Sequence, residues 1–173
     1  MNVYSHAKEN QEQMIRIPVL YKPVGIIRLQ MIREGRTLYG MERFCNAKDA
    51  VNTVSPLFRM CDRETVAVMS VDARCAPLAV EVAAVGGLDA CMIDPRIIYK
   101  HALLNNAASI ICFHNHPSGN PEPSQEDRTV TKQLQEAGKI LGVRLLDHII
   151  IGEDTYYSFR EQDLLDKPYH DCA

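Results

Sequence analysis

The chain has little of what marks secreted, membrane-spanning or nucleic-acid-binding proteins. Its net charge is −3 and its pI is about 6.1, whereas nucleic-acid-binding domains usually have a basic surface and a high pI. The polar start MNVYSHAKENQEQ lacks the apolar core of a signal peptide, and no apolar run approaches the ~20 residues that span a bilayer. We therefore expect a soluble, cytoplasmic protein without a membrane partner, and a nucleic-acid partner stays open.

The cysteines are also without a recognisable pairing pattern. None of the six lies in a C-x-x-C pair, which argues against a zinc ribbon or a thioredoxin motif. In the cytosol they are expected to be reduced. Hydrophobic residues make up 46% of the 173 residues and charged residues 24%, which suits one globular domain with an extension.

The sequence pattern divides the chain at about residue 50. Residues 1–50 are an N-terminal extension of short apolar pieces broken by proline and glycine, with a predicted hairpin around Glu34-Gly35. A helix is expected to start at Asn46 as its N-cap, and Pro56 should end or bend it. Residues 51–165 are predicted to form the main domain, and residues 166–173 a polar tail.

Strand and helix patterns alternate through the main domain. The predicted strands are TVAVMSVDA, PLAVEVAAVGG, SIICF, VRLLDHIIIG and TYYSFRE. One helix starts with Asp94-Pro95, and another runs from Ser124 to a C-terminal glycine at 142. Its expected apolar face is Val130, Leu134, Ala137, Ile140 and Leu141. The order β-β-α-β-α-β-β predicts an α/β or α+β sheet with helices packed on it.

The stretch FHNHPSGNPEPSQED carries the chemistry. His114 and His116 are two residues apart at the end of a predicted strand, so both imidazoles project to one side and can bind one zinc ion. An H-x-H pair alone is a weak signal. Ser124 and Asp127 have the spacing of a capping box, which by itself explains both residues.

The combination of these residues is more informative than its parts. A strand end with two histidines, a turn and a helix start with an acid can form a His-His-Asp site, and three ligands without cysteine favour a catalytic zinc with an open position. Such a site also needs a base for its water. The candidates are Glu122 and Glu126 in the motif, Glu64 before the first core strand and Glu81 in the second.

The spacing His114-x-His116-x7-Ser124-x2-Asp127 resembles the H-x-H-x7-S-x2-D signature of JAMM (MPN+) zinc metalloproteases. The longer string HNHPSGNPEPSQED, with ALLNNAASII, AGKILGVRLLDHIIIG and YYSFRE, resembles the RadC-like branch of that superfamily. The resemblance runs from about Glu64 to Glu161. It implies a cytidine-deaminase-like JAB/MPN fold, with a mixed sheet flanked by helices.

The resemblance also implies roles for individual residues. His114, His116 and Asp127 would ligate one Zn²⁺ per chain, and Ser124 would orient the water or stabilise the oxyanion. The family's base is a glutamate at the start of the first core strand, which selects Glu64 over Glu81. The implied activity is metal-assisted hydrolysis of an amide bond in a peptide or protein substrate.

Two departures bear on the substrate and partners. The inserts that eukaryotic deubiquitinating relatives use to hold ubiquitin have no room here, and the first fifty residues do not match the helix-hairpin-helix region of full-length RadC proteins. The alternative function is a non-catalytic RadC-like zinc-binding module that contacts protein or DNA in DNA repair or a mobile element. A homo-oligomer stays open.

Two further polar residues lie in the strand LLDHIII. Asp147 and His148 point to opposite faces of it. One of them can lie beside the metal as a partner of a ligand. The favoured interpretation for both is hydrogen bonding at the sheet edge.

Overall fold

The computed structural model describes residues 46–59, 61–86 and 93–166, together with Gly25 and Ile32. The chain divides into two compact units, Met1–Ile32 and Arg33–Ala173, and every helix and strand described below belongs to the second. The predicted hairpin at Glu34-Gly35 lies outside the described residues, and the predicted domain boundaries stay predictions. No described helix has the length and hydrophobicity that crossing a bilayer requires.

The described elements follow the predicted order, preceded by one helix. They are α1 Ala47–Phe58, β1 Thr65–Val71, β2 Pro77–Val85, α2 Pro95–Leu104, β3 Ser109–Asn115, α3 Gln125–Leu141, β4 Arg144–Ile151 and β5 Tyr156–Ser158. The strands form one sheet in the order β2-β1-β3-β4-β5. β3 and β4 are parallel and the other neighbours are antiparallel, so the predicted mixed α/β sheet flanked by helices is confirmed.

The sheet has a hydrophobic core on each face. All seven residues of β1 and of β3 are buried, as expected for central strands covered on both sides. On one face, α2 and α3 pack on Val66, Val68, Ile110, Cys112 and Ile150. On the other face, α1 packs on Ala67, Met69, Ile111, Phe113 and Ile149. Successive residues of β1 and β3 therefore pack into the cores on opposite faces of the sheet.

α1 begins as predicted and continues past Pro56, where the sequence predicted either an end or a bend. The side chain of Asn46 accepts a hydrogen bond from the Asp49 amide at 2.9 Å, so the predicted N-cap is confirmed. The helix continues past Pro56 to Phe58. Proline removes the amide that would bond to the Asn52 carbonyl, and the Ser55 hydroxyl donates to that carbonyl instead at 3.4 Å.

The face that α3 turns inward agrees with the predicted one in part. Its buried residues are Asp127, Thr131, Leu134 and Gly138. Ile140, expected in the core, is 86% exposed. The prediction is right for Leu134, and for Val130 and Ala137, which are partly buried and pack on the core. It is wrong for Ile140 and Leu141, because it assigned inward positions by hydrophobicity, whereas polar side chains occupy two of them. The helix cap itself is as predicted, with Gly142 in the left-handed conformation at φ 69°.

Cys75 is disulfide-bonded, and its partner lies outside the described residues because Cys61 and Cys112 are free. The expectation of reduced cysteines is therefore wrong for Cys75. It holds for the two other described cysteines.

Asp147 is a buried acid at the junction of β4 and β5. Its carboxylate accepts hydrogen bonds from the Ser158 hydroxyl at 2.5 Å and the Arg160 amide at 3.0 Å, which confirms the sheet-edge interpretation for this residue. Burial raises the pKa of Asp147 from 3.8 to about 6, against the lowering effect of these hydrogen bonds.

The raised pKa of Asp147 predicts how stability depends on pH. The folded state binds the proton more tightly than the unfolded state, so the stabilisation is complete below about pH 4 and is lost as the pH rises through about 6. The free energy of unfolding should fall by up to about 3 kcal/mol across this window. Urea unfolding of Asp147→Asn should show a flatter profile, and Asp154→Asn, at an exposed position, should not. Identical profiles for the two variants would contradict the assignment.

Candidate metal centre

The end of β3 brings the two histidines together. The strand runs to Asn115, two residues beyond the predicted end, and the His116 amide donates to the Ile151 carbonyl at 3.1 Å, which extends the contact with β4. The alternation of strand side chains then carries His114 and His116 to the same side. Their Nε2 atoms lie 3.1 Å apart.

A turn held by two backbone hydrogen bonds reverses the chain after the histidines. The Gly119 amide donates to the His116 carbonyl at 2.9 Å, and Gly119 has φ +79°, which favours glycine. The Gly119 carbonyl accepts from the Glu153 amide at 3.0 Å in the loop between β4 and β5. A Cβ at Gly119 would lie 3.2 Å from the Glu153 Cβ. The turn is thus fixed from both sides.

The helix start returns a carboxylate to the histidines. Asp127 Oδ1 lies 3.1 Å from His114 Nε2, and Oδ2 lies 3.5 Å from His116 Nε2. The predicted capping box is present: Oδ2 accepts from the Ser124 amide and hydroxyl, each at 2.7 Å, while Ser124 Oγ accepts from the Asp127 amide at 3.1 Å. The cap therefore fixes the carboxylate that faces the two rings.

These three side chains can hold a metal ion. One ligand atom from each lies within 4.8 Å of the others. A tetrahedral zinc site with bonds of about 2.0–2.1 Å has neighbouring ligand atoms about 3.3 Å apart. The two distances from His114 Nε2, 3.1 Å to His116 Nε2 and 3.1 Å to Asp127 Oδ1, are close to that value. His114 and Asp127 are buried and His116 is half-buried, so a bound ion would keep one accessible side.

The charges of the three side chains depend on one another. Burial by itself would raise the pKa of the Asp127 carboxyl, but the hydrogen bonds with His114 and His116 hold that pKa well below its usual range. The hydrogen bond to Asp127 raises the pKa of His116. Asp127 is therefore an anion in the folded protein, as a metal ligand must be.

Each histidine has a second partner on its other nitrogen. His116 Nδ1 lies 2.8 Å from the Asn120 carbonyl oxygen, and His114 Nδ1 lies 2.9 Å from His148 Nε2. His148 Nδ1 in turn lies 2.6 Å from Thr131 Oγ1. Both Nε2 atoms are thereby left to face the site. The favoured sheet-edge interpretation is wrong for His148, which lies beside a candidate ligand.

A sequence signal for His148 existed, but it was incomplete. In the parallel pairing of β3 with β4, His148 lies opposite Cys112, on the face that also carries His114. The alternation of strand side chains divides Asp147 from His148, but only the register between strands says which of them faces the metal centre. Burial, followed by the charge of His114, lowers the pKa of His148 well below its ordinary value.

Glu64 lies immediately before β1 on the side of the histidines. Val66 pairs with His114 in the antiparallel register, so continuing that register by two residues brings Glu64 opposite His116. The charge of Glu64 contributes to the raised pKa of His116, after the larger effect of Asp127. The Glu64 carbonyl accepts a hydrogen bond from the Gly86 amide at 2.7 Å, which connects the residue before β1 to the end of β2.

Asn115 holds the entry of β1 in place from the opposite face. Its side-chain oxygen accepts from the Thr65 amide at 2.8 Å, and its side-chain nitrogen donates to the Arg63 carbonyl at 3.3 Å. The two bonds flank Glu64. Asn115 therefore holds the strand entry that carries Glu64.

Two of the other candidate bases have partners of their own. The Glu81 carboxylate contacts the His101 ring, between β2 and α2. Glu122 lies 3.6 Å from Arg128. The structure thus brings together His114, His116, Ser124 and Asp127, with Glu64 at the adjacent strand entry. The individual roles of these five residues stay predictions.

Together, the mixed sheet and the His-His-Asp centre define an α/β protein with a candidate metal site at the end of a central strand. A family model described as the RadC-like JAB domain matches residues 44–164. The chain therefore belongs to the RadC-like JAB domain family, which confirms the resemblance seen in the sequence.

Relatives in archaea and bacteria agree with this membership. The chain is 41% identical over 120 residues to a UPF0758 protein of Methanosarcina barkeri, a match that covers 69% of the chain and 52% of the relative. It is 45% identical over 115 residues to a UPF0758 protein of Listeria monocytogenes, covering 66% and 51%. The chain spans about half the length of the curated relatives it matches.

Metal content tests the centre directly. The purified chain should bind about one divalent ion, and His114→Ala should weaken binding by more than the roughly 10–100-fold typical of losing a residue that only supports a ligand. Titration calorimetry with Zn²⁺ measures both. His101→Ala, at the contact with Glu81, is the matched control and should bind like the wild type. Equal affinity of the two variants would exclude the centre.

The Asn115 contacts predict a measurable cost in stability. Asn115→Ala leaves the buried amide of Thr65 without its acceptor, so the free energy of unfolding should fall by about 1–3 kcal/mol. Asn105→Ala, which removes a single part-buried bond to Ser70, should cost about 1 kcal/mol or less. Urea unfolding compares the two. A smaller loss for the Asn115 variant would show that these bonds do not hold the strand entry.

Proposed function

We propose that this chain is a zinc-dependent peptidase or isopeptidase of the JAMM type, with His114, His116 and Asp127 as ligands of one Zn²⁺. The observation that carries the proposal is the arrangement of this centre: three ligand atoms lie within 4.8 Å of one another, and a glutamate stands two residues before the strand position that pairs with His114. The family membership supports a hydrolase, and the identity of the metal rests on the ligand set.

Bound zinc would supply a polarising charge for a substrate carbonyl and would lower the pKa of a water molecule toward about 7. The protein groups would do the rest. Glu64 would accept the proton of the attacking water and deliver it to the leaving amine. Its place before β1 is held by the Asn115 bonds to its two neighbours, and its charge acts on His116.

Ser124 would act on the oxygen that becomes negative in the tetrahedral intermediate. Its hydroxyl is exposed at the rim of the centre and donates to Asp127 Oδ2 at 2.7 Å. The backbone amide of Ser124 donates to the same oxygen, so Asp127 keeps one hydrogen bond when the hydroxyl turns to a substrate. The substrate would be a peptide or protein amide.

The role of Glu64 separates the peptidase from a non-catalytic zinc module. Glu64→Gln should keep the bound zinc and lose hydrolysis of a peptide and isopeptide library by at least about 10²-fold, because a general base contributes that much. Glu81→Gln is the matched control, since it changes a glutamate of the neighbouring strand that pairs with His101. Zinc content and turnover are measured on the same samples.

Two outcomes would count against this function. Equal hydrolysis by the Glu64 and Glu81 variants would remove the assigned base. Zinc-loaded wild type that cleaves no peptide or isopeptide bond of the library would favour the non-catalytic module.

A further inference from the structure

A row of buried polar groups crosses from the sheet to α3 behind the metal centre. His148 is fully buried on β4 and lies between His114 on β3 and Thr131 on α3. Thr131 Oγ1 also lies 2.6 Å from the carbonyl oxygen of Asp127. The row therefore starts at one candidate ligand and returns to the backbone of another.

The hydrogen of the Thr131 hydroxyl sets the direction of this row. A carbonyl oxygen only accepts, so the contact with Asp127 uses the one hydrogen that the hydroxyl has. Thr131 must then accept from His148, whose Nδ1 carries a hydrogen. In a neutral ring the Nε2 of His148 is an acceptor, and it takes the hydrogen of His114 Nδ1.

We propose that His148 and Thr131 are positioning residues that fix His114 as the tautomer with hydrogen on Nδ1, so that its Nε2 lone pair faces the metal. The proposal rests on the proposed function for the metal, whose binding would displace the hydrogen that His114 Nε2 donates to Asp127 in the metal-free chain. The tautomer of His148 is a property of the protein alone. A ligating histidine usually donates its other N–H to a carboxylate, a carbonyl or water. Here a second imidazole accepts it.

The surroundings hold the ring of His148 in the orientation that this role needs. Phe159 stacks on it with ring centroids 5.1 Å apart and an angle of 9° between the planes. The ring has partners at both nitrogens, so a flip would place carbon atoms against Thr131 and His114. Stacking and the two contacts together leave one orientation of the ring.

His116 is oriented by a separate and simpler contact. Its Nδ1 faces the Asn120 carbonyl, which can only accept, so this ring also carries its hydrogen on Nδ1. The two candidate ligands thus present the same nitrogen to the site through independent partners. A change in the row through His148 should therefore alter His114 and leave His116 as it is.

Long-range ¹H–¹⁵N NMR of the histidine rings, on the full chain with and without Zn²⁺, tests the proposal. In the wild type, His148 should carry its hydrogen on Nδ1 in both states, and zinc-bound His114 should carry its hydrogen on Nδ1. A wild-type His148 with hydrogen on Nε2, or on both nitrogens, overturns the proposal without any variant being needed.

Variants of Thr131 then test whether the hydroxyl sets the tautomer. Thr131→Val keeps the shape and removes the acceptor, so His148 should lose the Nδ1-protonated form and Zn²⁺ affinity should fall about 10–100-fold. Thr131→Ser keeps a hydroxyl and should restore both. Thr129→Val is the control, because Thr129 makes the same bond to the carbonyl four residues before it, on the exposed face of α3.

The tautomers, the Zn²⁺ affinity and the hydrolysis together show whether the positioning role or the proposed function has failed. If folded Thr131→Val keeps both the His148 tautomer and the Zn²⁺ affinity of Thr129→Val, the positioning role is wrong, whatever the activity. If the wild type shows the expected tautomers and binds Zn²⁺ but hydrolyses nothing, the peptidase fails and the positioning role stands. Should Thr131→Val not fold, the wild-type spectra and the Thr131→Ser spectra decide.

Discussion

The antiparallel pairing of β1 with β3, with Val66 opposite His114, is the constraint on which the centre depends. Side chains alternate along a strand, so a slip of one residue would turn His114 toward the core beneath α1. The same register brings Glu64 opposite His116. It is fixed by the burial of both strands on both faces and by the side chain of Asn115, which bonds on either side of Glu64. One pairing thus sets the face of the two histidines and of the carboxylate.

The third candidate ligand depends on a local rule of helix ends. The first amides of a helix lack partners within the helix, and a serine with an acid three residues later satisfies two of them. In α3 this reciprocal cap uses Asp127 Oδ2, and Oδ1 is left 3.1 Å from His114 Nε2. The N-terminus of a helix also stabilises a negative charge. The cap and the ligand role therefore use the same carboxylate without conflict, because each uses a different oxygen.

The parts that the sequence predicts are those set by local rules, and the parts that it misses depend on contacts between distant elements. His114, His116 and Asp127 lie within one strand, one turn and one helix start, so spacing alone places them near one another. His148 is 34 residues from its partner His114, and only the register of β3 with β4 decides that it, rather than Asp147, faces the centre. The polar positions in the buried face of α3 were missed for a related reason. Hydrophobic periodicity assigns polar residues outward, but Asp127 and Thr131 point inward because they have polar partners there.

The close packing of α3 on α2 fixes the position from which Thr131 reaches the sheet. A Cβ at Gly138 would lie 2.5 Å from the Tyr99 hydroxyl oxygen, so glycine permits a contact that any other residue would prevent. Tyr99 donates to the Leu134 carbonyl at 2.7 Å and fixes the helix at that distance. Seven residues before Gly138, on the same helix face, Thr131 reaches His148 at 2.6 Å. Among the described residues, no buried side-chain nitrogen or oxygen lacks a hydrogen-bond partner, so the polar row adds no unsatisfied group to the core. The position of α3 therefore determines both the packing of the core and the placement of Thr131 beside the metal centre.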